Sequence, residues 1–209
     1  MKASINGAKY VVFDGMDGSG KGTQMKLLQE KFGDSVVFTR EPGGTPLAEN
    51  LREIILREPC TPLTEMLLFL ASRSELRSQV IVPALQRGLH VFSDRSDSST
   101  WAFQLNGREH KVEFLDLFIL TRKMILPRPD LYIIFDLPAE VARKRALGDT
   151  GRVADHIDKL DLMFYERVRN GFREFQKWAP VEFIDATQMP EEIQQNVVAV
   201  LASMGIEPG

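Results

Sequence analysis

The sequence predicts an α/β domain, with a parallel sheet covered by helices on both faces. Three observations carry that prediction. Short apolar runs rich in Val, Ile, Phe and Tyr recur along the chain. Segments of helical period separate them. A glycine-rich stretch ending in lysine joins the first run to the first helical segment.

The apolar runs lie at residues 9–13, 36–39, 90–93, 131–135 and 181–184. They are too short for helices and read as buried strands, five in all. Helical patterns occupy about 21–32, 46–57, 63–87, 97–106, 111–125, 138–147, 157–178 and 190–204. The last is the clearest. Pro190 opens it, Glu191 and Glu192 fill its first turn, and Ile193, Val197, Val200, Leu201 and Met204 share one face. Right-handed crossovers then bring every strand's C-terminal end to one edge, where such sheets bind ligands.

Composition narrows the function classes. The chain has 209 residues, 44 % hydrophobic and 26 % charged, which suits one domain with a substantial core. Lys and Arg number 26 against 29 Asp and Glu, so no basic excess points to nucleic acid or an anionic membrane. Nowhere does an apolar run reach the roughly 18 residues needed to span a bilayer. The opening MKASINGAKYVVF reads as no signal peptide. The lone Cys60 makes no internal disulfide, which fits a reducing compartment, and the expected location is the cytoplasm. His90, His110 and His156 have no metal-ligand spacing.

After the first strand comes Gly15-Met16-Asp17-Gly18-Ser19-Gly20-Lys21-Gly22-Thr23, and a helix follows. Glycines let successive N–H groups turn toward phosphate oxygens, and the helix N-terminus adds its dipole. Lys21 supplies a charge that reaches the outer phosphates. This is a P-loop, which by itself marks an NTP user. Gly22 stands where Ser or Thr usually meets magnesium, and Thr23 follows it. GSGKGTQ is therefore similar to the adenylate-kinase form of the loop. No Asn-Lys-x-Asp guanine signature occurs, so a small-molecule phosphotransferase leads.

Three clusters suit a second ligand. Thr39-Arg40-Glu41-Pro42-Gly43-Gly44-Thr45 follows the second strand and leads to Arg52. Phe69 and Arg73 stand four apart on one helix, so a ring and a guanidinium share a face. A core Phe with a surface Arg is the plain alternative there. Asp94-Arg95 ends the third strand, before Ser96-Asp97-Ser98-Ser99-Thr100-Trp101-Ala102-Phe103-Gln104. Asp94 suits magnesium held through water, and Arg95 suits a phosphate fork. Asp97 or Ser98 suits a helix cap.

Together FDGMDGSGKGT, FTREPGGT, LLFLASR, SDRSDSSTWAFQ, RPDLYIIFDLP and FIDAT resemble the thymidylate kinase family. The resemblance implies a P-loop NTPase fold with a small lid. It implies transfer of the γ-phosphoryl of ATP to dTMP with Mg2+, and a homodimer packed through helices. By position, Asp17 approaches the 3′-hydroxyl, and Arg95 with Arg52 holds the acceptor phosphate. Phe69 stacks on thymine, Arg73 with Ser99 or Thr100 reads its polar edge, and Phe103 lies against the sugar. Asp94 and Thr23 are the candidate magnesium contacts, both through water. The loop has no arginine, so the resemblance points to a lid at about 143–156, with Arg152 as the transition-state arginine beside Lys21 and Arg95. Arg143 and Arg145 are open between that role and a solvated helix face. Asp136 reads as a turn residue, Trp101 and Trp178 as packing residues, and Thr187 lies where related folds pass adenine.

The chain departs from the family at Ser96, where an aromatic residue or His is common. Val153-Ala154 lacks the acidic residue often found after the lid arginine, and Leu105-Asn106 replaces a glycine-rich continuation. Two alternatives stay open: another nucleoside-monophosphate kinase with an adenylate-type acceptor, and an inactive nucleotide-binding module.

Overall fold

A computed structural model describes residues 7–148 and 161–208. Its sheet has five parallel strands in the order β2-β3-β1-β4-β5. They are β1 (Tyr10–Gly15), β2 (Val36–Arg40), β3 (His90–Asp94), β4 (Leu131–Asp136) and β5 (Val181–Asp185). β1 is central and buried along its whole length, while the edge strands β2 and β5 are only partly buried. That is why the first run reads as continuous apolar sequence and the last as Val-Glu-Phe-Ile. Tyr10, Phe13, Phe92, Tyr132 and Phe135 are fully buried and form the middle of the core.

Every strand runs beyond its apolar residues at the C-terminal end. The added residues are polar or glycine: Asp14 and Gly15, Arg40, Asp94, Asp136 and Asp185. Backbone pairing continues through them, with Arg40 opposite Asp94 and Asp136 opposite Asp185. Ladder bonds need no apolar side chain, so hydrophobic pattern alone stops one or two residues short.

The helices are α1 (Lys21–Phe32), α2 (Pro46–Arg57), α3 (Pro62–Leu76), α4 (Val82–Gln86), α5 (Asp97–Ser99), α6 (Lys111–Met124), α7 (Ala139–Gly148), α8 (Leu162–Phe175) and α9 (Pro190–Ser203). The single helix expected at 63–87 is interrupted by a π-helical turn, Arg77–Ile81, between α3 and α4. Pro83 has no N–H to bond the turn before it, so the regular ladder cannot run through unbroken. The helix expected at 97–106 is α-helical for one turn only and then π-helical over Thr100–Gly107. In α9, Ile193, Val197 and Leu201 are buried, and the Glu192 carboxylate accepts from Met189 N at 3.2 Å.

The π-helical segment is fixed from two sides. The rings of Trp101, Phe118 and Trp178 meet edge-on or tilted at 5.1–5.6 Å. On the other side α8 approaches so closely that a Cβ at Gly171 would lie 2.9 Å from Ala102 Cα. Among the described residues no helix is long and apolar enough to cross a membrane.

Candidate active site

Strand order reverses at β1, because β3 lies between β1 and β2. The loop after β1 and Asp94-Arg95 after β3 therefore emerge side by side at one crevice. A cavity of about 410 Å3 opens there. Its walls include Asp17 and Lys21 from the glycine loop, and Arg52, Phe69 and Arg73 from α2 and α3. Asp94, Arg95, Ser99, Thr100, Phe103 and Gln104 complete them from β3 and the π-helical segment.

The glycine loop is a tight fit. Gly18 has φ +81°, and a Cβ there would lie 2.2 Å from Ala142 O of α7. Gly18→Ala therefore combines a strained backbone with a clash against main chain. We expect it to cost about 3 kcal/mol and to lower the melting temperature by about 6–12 °C by calorimetry. A shift within about 2 °C would contradict this packing.

Lys21 pairs with Asp94 across the crevice. Burial pulls the Lys21 ammonium below its ordinary range, Arg95 adds to that, and Asp94 opposes it. A buried lysine beside another cation is poised to accept phosphate charge.

Arg95 is one of two described non-glycine residues with positive φ, at 71°. Ser93 Oγ donates to its carbonyl at 2.9 Å, and its N–H donates to Phe13 O at 2.9 Å. The guanidinium donates to Asp14 (3.1 Å), Gly15 O (3.1 Å), Ser99 Oγ (3.0 Å) and Asp17 (2.7 Å). It also lies 5.2 Å from the Phe103 ring centre. Asp14 is fully buried, takes Ser98 Oγ at 2.6 Å and Gly15 N at 2.9 Å, and burial pushes its carboxyl up against the pull of Arg95. The arrangement presents a fixed guanidinium to the space between the loop and the π-helical segment.

The far end of the cavity has the character of a base pocket. Phe69 is half-buried on its wall, whereas Arg73 is only 5 % exposed, the reverse of a core Phe with a surface Arg. Arg73 donates to Glu41 at 2.6 Å and to Thr100 Oγ1 at 2.9 Å. Phe103 is held by Phe164 and Phe172, with ring centres 6.3 and 5.8 Å away. Arg52 reaches back to Pro42 O at 3.0 Å, and burial lowers its guanidinium pKa, with Arg40 adding to the effect.

A sequence model of the family described as thymidylate kinase matches residues 13–197. The chain belongs to the thymidylate kinase family. A thymidylate kinase of Pelotomaculum thermopropionicum is 39 % identical over 198 residues, covering 91 % of each chain. One of Cupriavidus pinatubonensis is 37 % identical over 206 residues, covering 94 % of this chain and 98 % of its own. The crystal structure of thymidylate kinase from Ehrlichia chaffeensis superposes with a TM-score of 0.74 at 29 % identity, over 93 % of this chain and 98 % of that one.

Against the family-implied sites, the structure brings Asp17, Lys21, Arg52, Phe69, Arg73, Asp94, Arg95, Ser99, Thr100 and Phe103 to one cavity. Gly15, Met16, Gly18, Ser19, Gly20 and Gly22 form the turn from β1 into α1 beside it. Thr23 is exposed on α1 and does not line the cavity. Arg152, with residues 149–156 of the lid segment, His156 and the start of the 157–178 helix, lies outside the described residues.

Several side chains have different partners from those expected. Asp97 and Ser98 do not cap a helix: Asp97 is buried with Arg122 and with Tyr132 OH at 2.5 Å, and Ser98 serves Asp14. Asp136 is no mere turn residue, since Arg169 (2.7 and 2.9 Å) and Arg173 (2.9 Å) converge on its carboxylate. Arg145 is tied to Ala186 O at 2.9 Å rather than wholly solvated. Thr187 folds back on Asp185 with both its N–H (2.9 Å) and its hydroxyl (2.7 Å).

Sequence reasoning passed over Gln104, Glu41 and Asp14. Gln104 is only 6 % exposed, lines the cavity and has no side-chain hydrogen bond among the described residues. Its signal was its place four residues after Thr100, obscured because the π-helical turn there changes the α-helical face.

Proposed function

We propose that this chain transfers the γ-phosphoryl group of ATP to dTMP, giving dTDP and ADP. One observation carries the reading: one cavity is lined by Lys21 of the phosphate loop, by Arg95, and by the Phe69 ring, the Arg73 guanidinium and the Gln104 carboxamide. The acceptor phosphate belongs on Arg95 and Arg52, and the thymine ring on Phe69. Arg73 donates only, which suits a carbonyl oxygen of the base. Gln104 offers a donor and an acceptor, which suits an oxygen beside an N–H. Phe103 walls the sugar, and Asp17 serves its 3′-hydroxyl.

Phosphoryl transfer asks for alignment of two anions and for positive groups that neutralise the charge spreading between them. Lys21 and Arg95, both on the cavity wall, meet that charge, with Arg152 as the lid's contribution. Asp94 Oδ2 has no bond among the described residues and lies on the cavity wall, so it fits a hydrated divalent cation. Gly22 offers no hydroxyl, so Asp94 would hold Mg2+ through water, with Thr23 as the second candidate. Magnesium bound with ATP supplies neutralisation of the outer phosphates.

The same reading includes a cytoplasmic homodimer. Leu63 and Leu67 on α3, and Leu120 and Met124 on α6, are 49–71 % exposed and spaced four apart, as a helical interface requires. Steady-state ADP release with dTMP, dUMP, AMP, CMP or GMP as acceptor tests the activity. Turnover with dTMP well above the others supports it; preference for AMP favours the adenylate-type alternative suggested by GSGKGTQ.

A further inference from the structure

Below the base pocket lies a layer of buried charge that phosphoryl transfer itself does not use. Glu41, Arg73 and Arg77 are 5 %, 5 % and 3 % exposed, and Ser96 is fully buried. Glu41 uses both carboxylate oxygens: Oε2 accepts from Arg73 Nε at 2.6 Å, and Oε1 accepts from Ser96 Oγ at 3.1 Å. Arg77 adds a second positive charge 3.8 Å from Oε1. The Glu41 N–H is tied to Asp94 O at 2.9 Å, so the loop is fastened to the functional end of β3.

Arg77 is itself fixed. It donates to Pro127 O at 2.8 Å and to Ser96 Oγ at 3.4 Å, and its guanidinium lies 4.6 Å from the Tyr10 ring centre. Ser96 also receives Tyr10 OH at 3.5 Å. The residue that departs from the family's usual aromatic or His is thus a small hydroxyl at the meeting point of a carboxylate, a guanidinium and a phenol. A bulky ring at that point would compete with the Arg77 guanidinium for the same space.

We infer that Glu41, braced by Arg77 and Ser96, is a positioning residue that fixes Arg73 for recognition of an oxygen on the acceptor base. The inference rests on the dTMP reading above and extends it to specificity. A guanidinium is planar, so two bonds set its orientation. With Nε on Glu41 and one terminal nitrogen on Thr100, the other terminal nitrogen has no bond among the described residues. It can only donate, so it matches a ring carbonyl and not an amino group. Burial alone would lower the Arg73 guanidinium pKa; Glu41 and Asp97 more than offset this and hold it above its ordinary range. Arg77 and Ser96 occupy the second carboxylate oxygen, which stops Glu41 from pivoting about its single contact to Arg73.

Steady-state kinetics of the whole chain test this with Glu41→Gln and Arg77→Leu. The acceptors are dTMP and its analogue lacking the carbonyl oxygen at position 4 of the base. Glu41→Gln is expected to raise KM for dTMP about 30-fold, the effect of weakening a hydrogen bond between charged groups, with kcat and KM for ATP within about twofold. Arg77→Leu, outside the cavity lining, is expected to show the same pattern at about fivefold. KM for the analogue should be the same in wild type and variants, because it lacks the group that Arg73 reads. A loss of equal size for dTMP and analogue, or a fall in kcat at constant KM, would overturn the inference by showing a structural role only. If Glu41→Gln fails to fold by thermal melting, the Arg77→Leu comparison decides. Wild type inactive with dTMP overturns the proposed function; wild type active with unchanged KM in both variants overturns this inference alone.

Discussion

Arg95→Ala is expected to lower kcat/KM for dTMP by about 10^3, with KM for ATP changed by less than about threefold. Arg95 spans the crevice, and its donors converge on Asp14, Asp17, Gly15 O and Ser99. On the proposed reading those donors hold the acceptor phosphate. Alanine removes the charge together with the contacts that hold the loop, so electrostatic and structural effects act at once. Arg95→Lys separates the two. It keeps a charge in the same backbone but loses the planar fork, and an intermediate loss of about tenfold is expected. Equal losses in Ala and Lys variants would locate the effect in geometry; no loss in either would remove Arg95 from the chemistry.

Lys21→Met is expected to reduce kcat by about 10^3 or more while leaving the melting temperature unchanged or raised. The two readouts move apart for a physical reason. Burial and Arg95 both penalise the Lys21 charge in the folded protein, so an apolar side chain of similar length relieves a cost. Asp94 loses its partner, but its side chain is 28 % exposed and hydrates. A variant that melts lower and loses activity in proportion would mean that the Lys21–Asp94 pair is structural cement. A variant that retains turnover would contradict the phosphate role of the loop.

Much of this was legible in the sequence because the responsible forces are local. The glycine loop between strand and helix, the apolar period of α9 and the Val-rich β1 each depend on neighbours within a turn or two. The parts that were not legible depend on partners far along the chain. Asp97 looks like a cap beside Ser98, yet its charge is answered by Arg122, 25 residues away, and by Tyr132, 35 away. Asp136 looks like a turn residue until Arg169 and Arg173 arrive from α8. Glu41 reads as one of several charges in a Gly-Gly loop, and only the fold shows that Arg73, Arg77 and Ser96 surround it. Gln104 was hidden differently: the π-helical turn over Thr100–Gly107 is held by tertiary packing on Trp178 and Gly171, so the α-helical period misassigns its face. Ser96 stands out in the sequence only as a departure from the family, whereas the fold shows its hydroxyl between Glu41 and Arg77.

The decisive measurement follows labelled phosphate from γ-labelled ATP into an equimolar mixture of dTMP, AMP, CMP and GMP, with product nucleotides separated afterwards. Label accumulating in dTDP, at least about a hundredfold over the other diphosphates, is the expected result. Label distributed among the acceptors, or concentrated in ADP formed from AMP, would contradict the assignment of the cavity to thymine. Label remaining on ATP, with dTMP bound but not phosphorylated, would contradict the assignment of Lys21 and Arg95 to phosphoryl transfer.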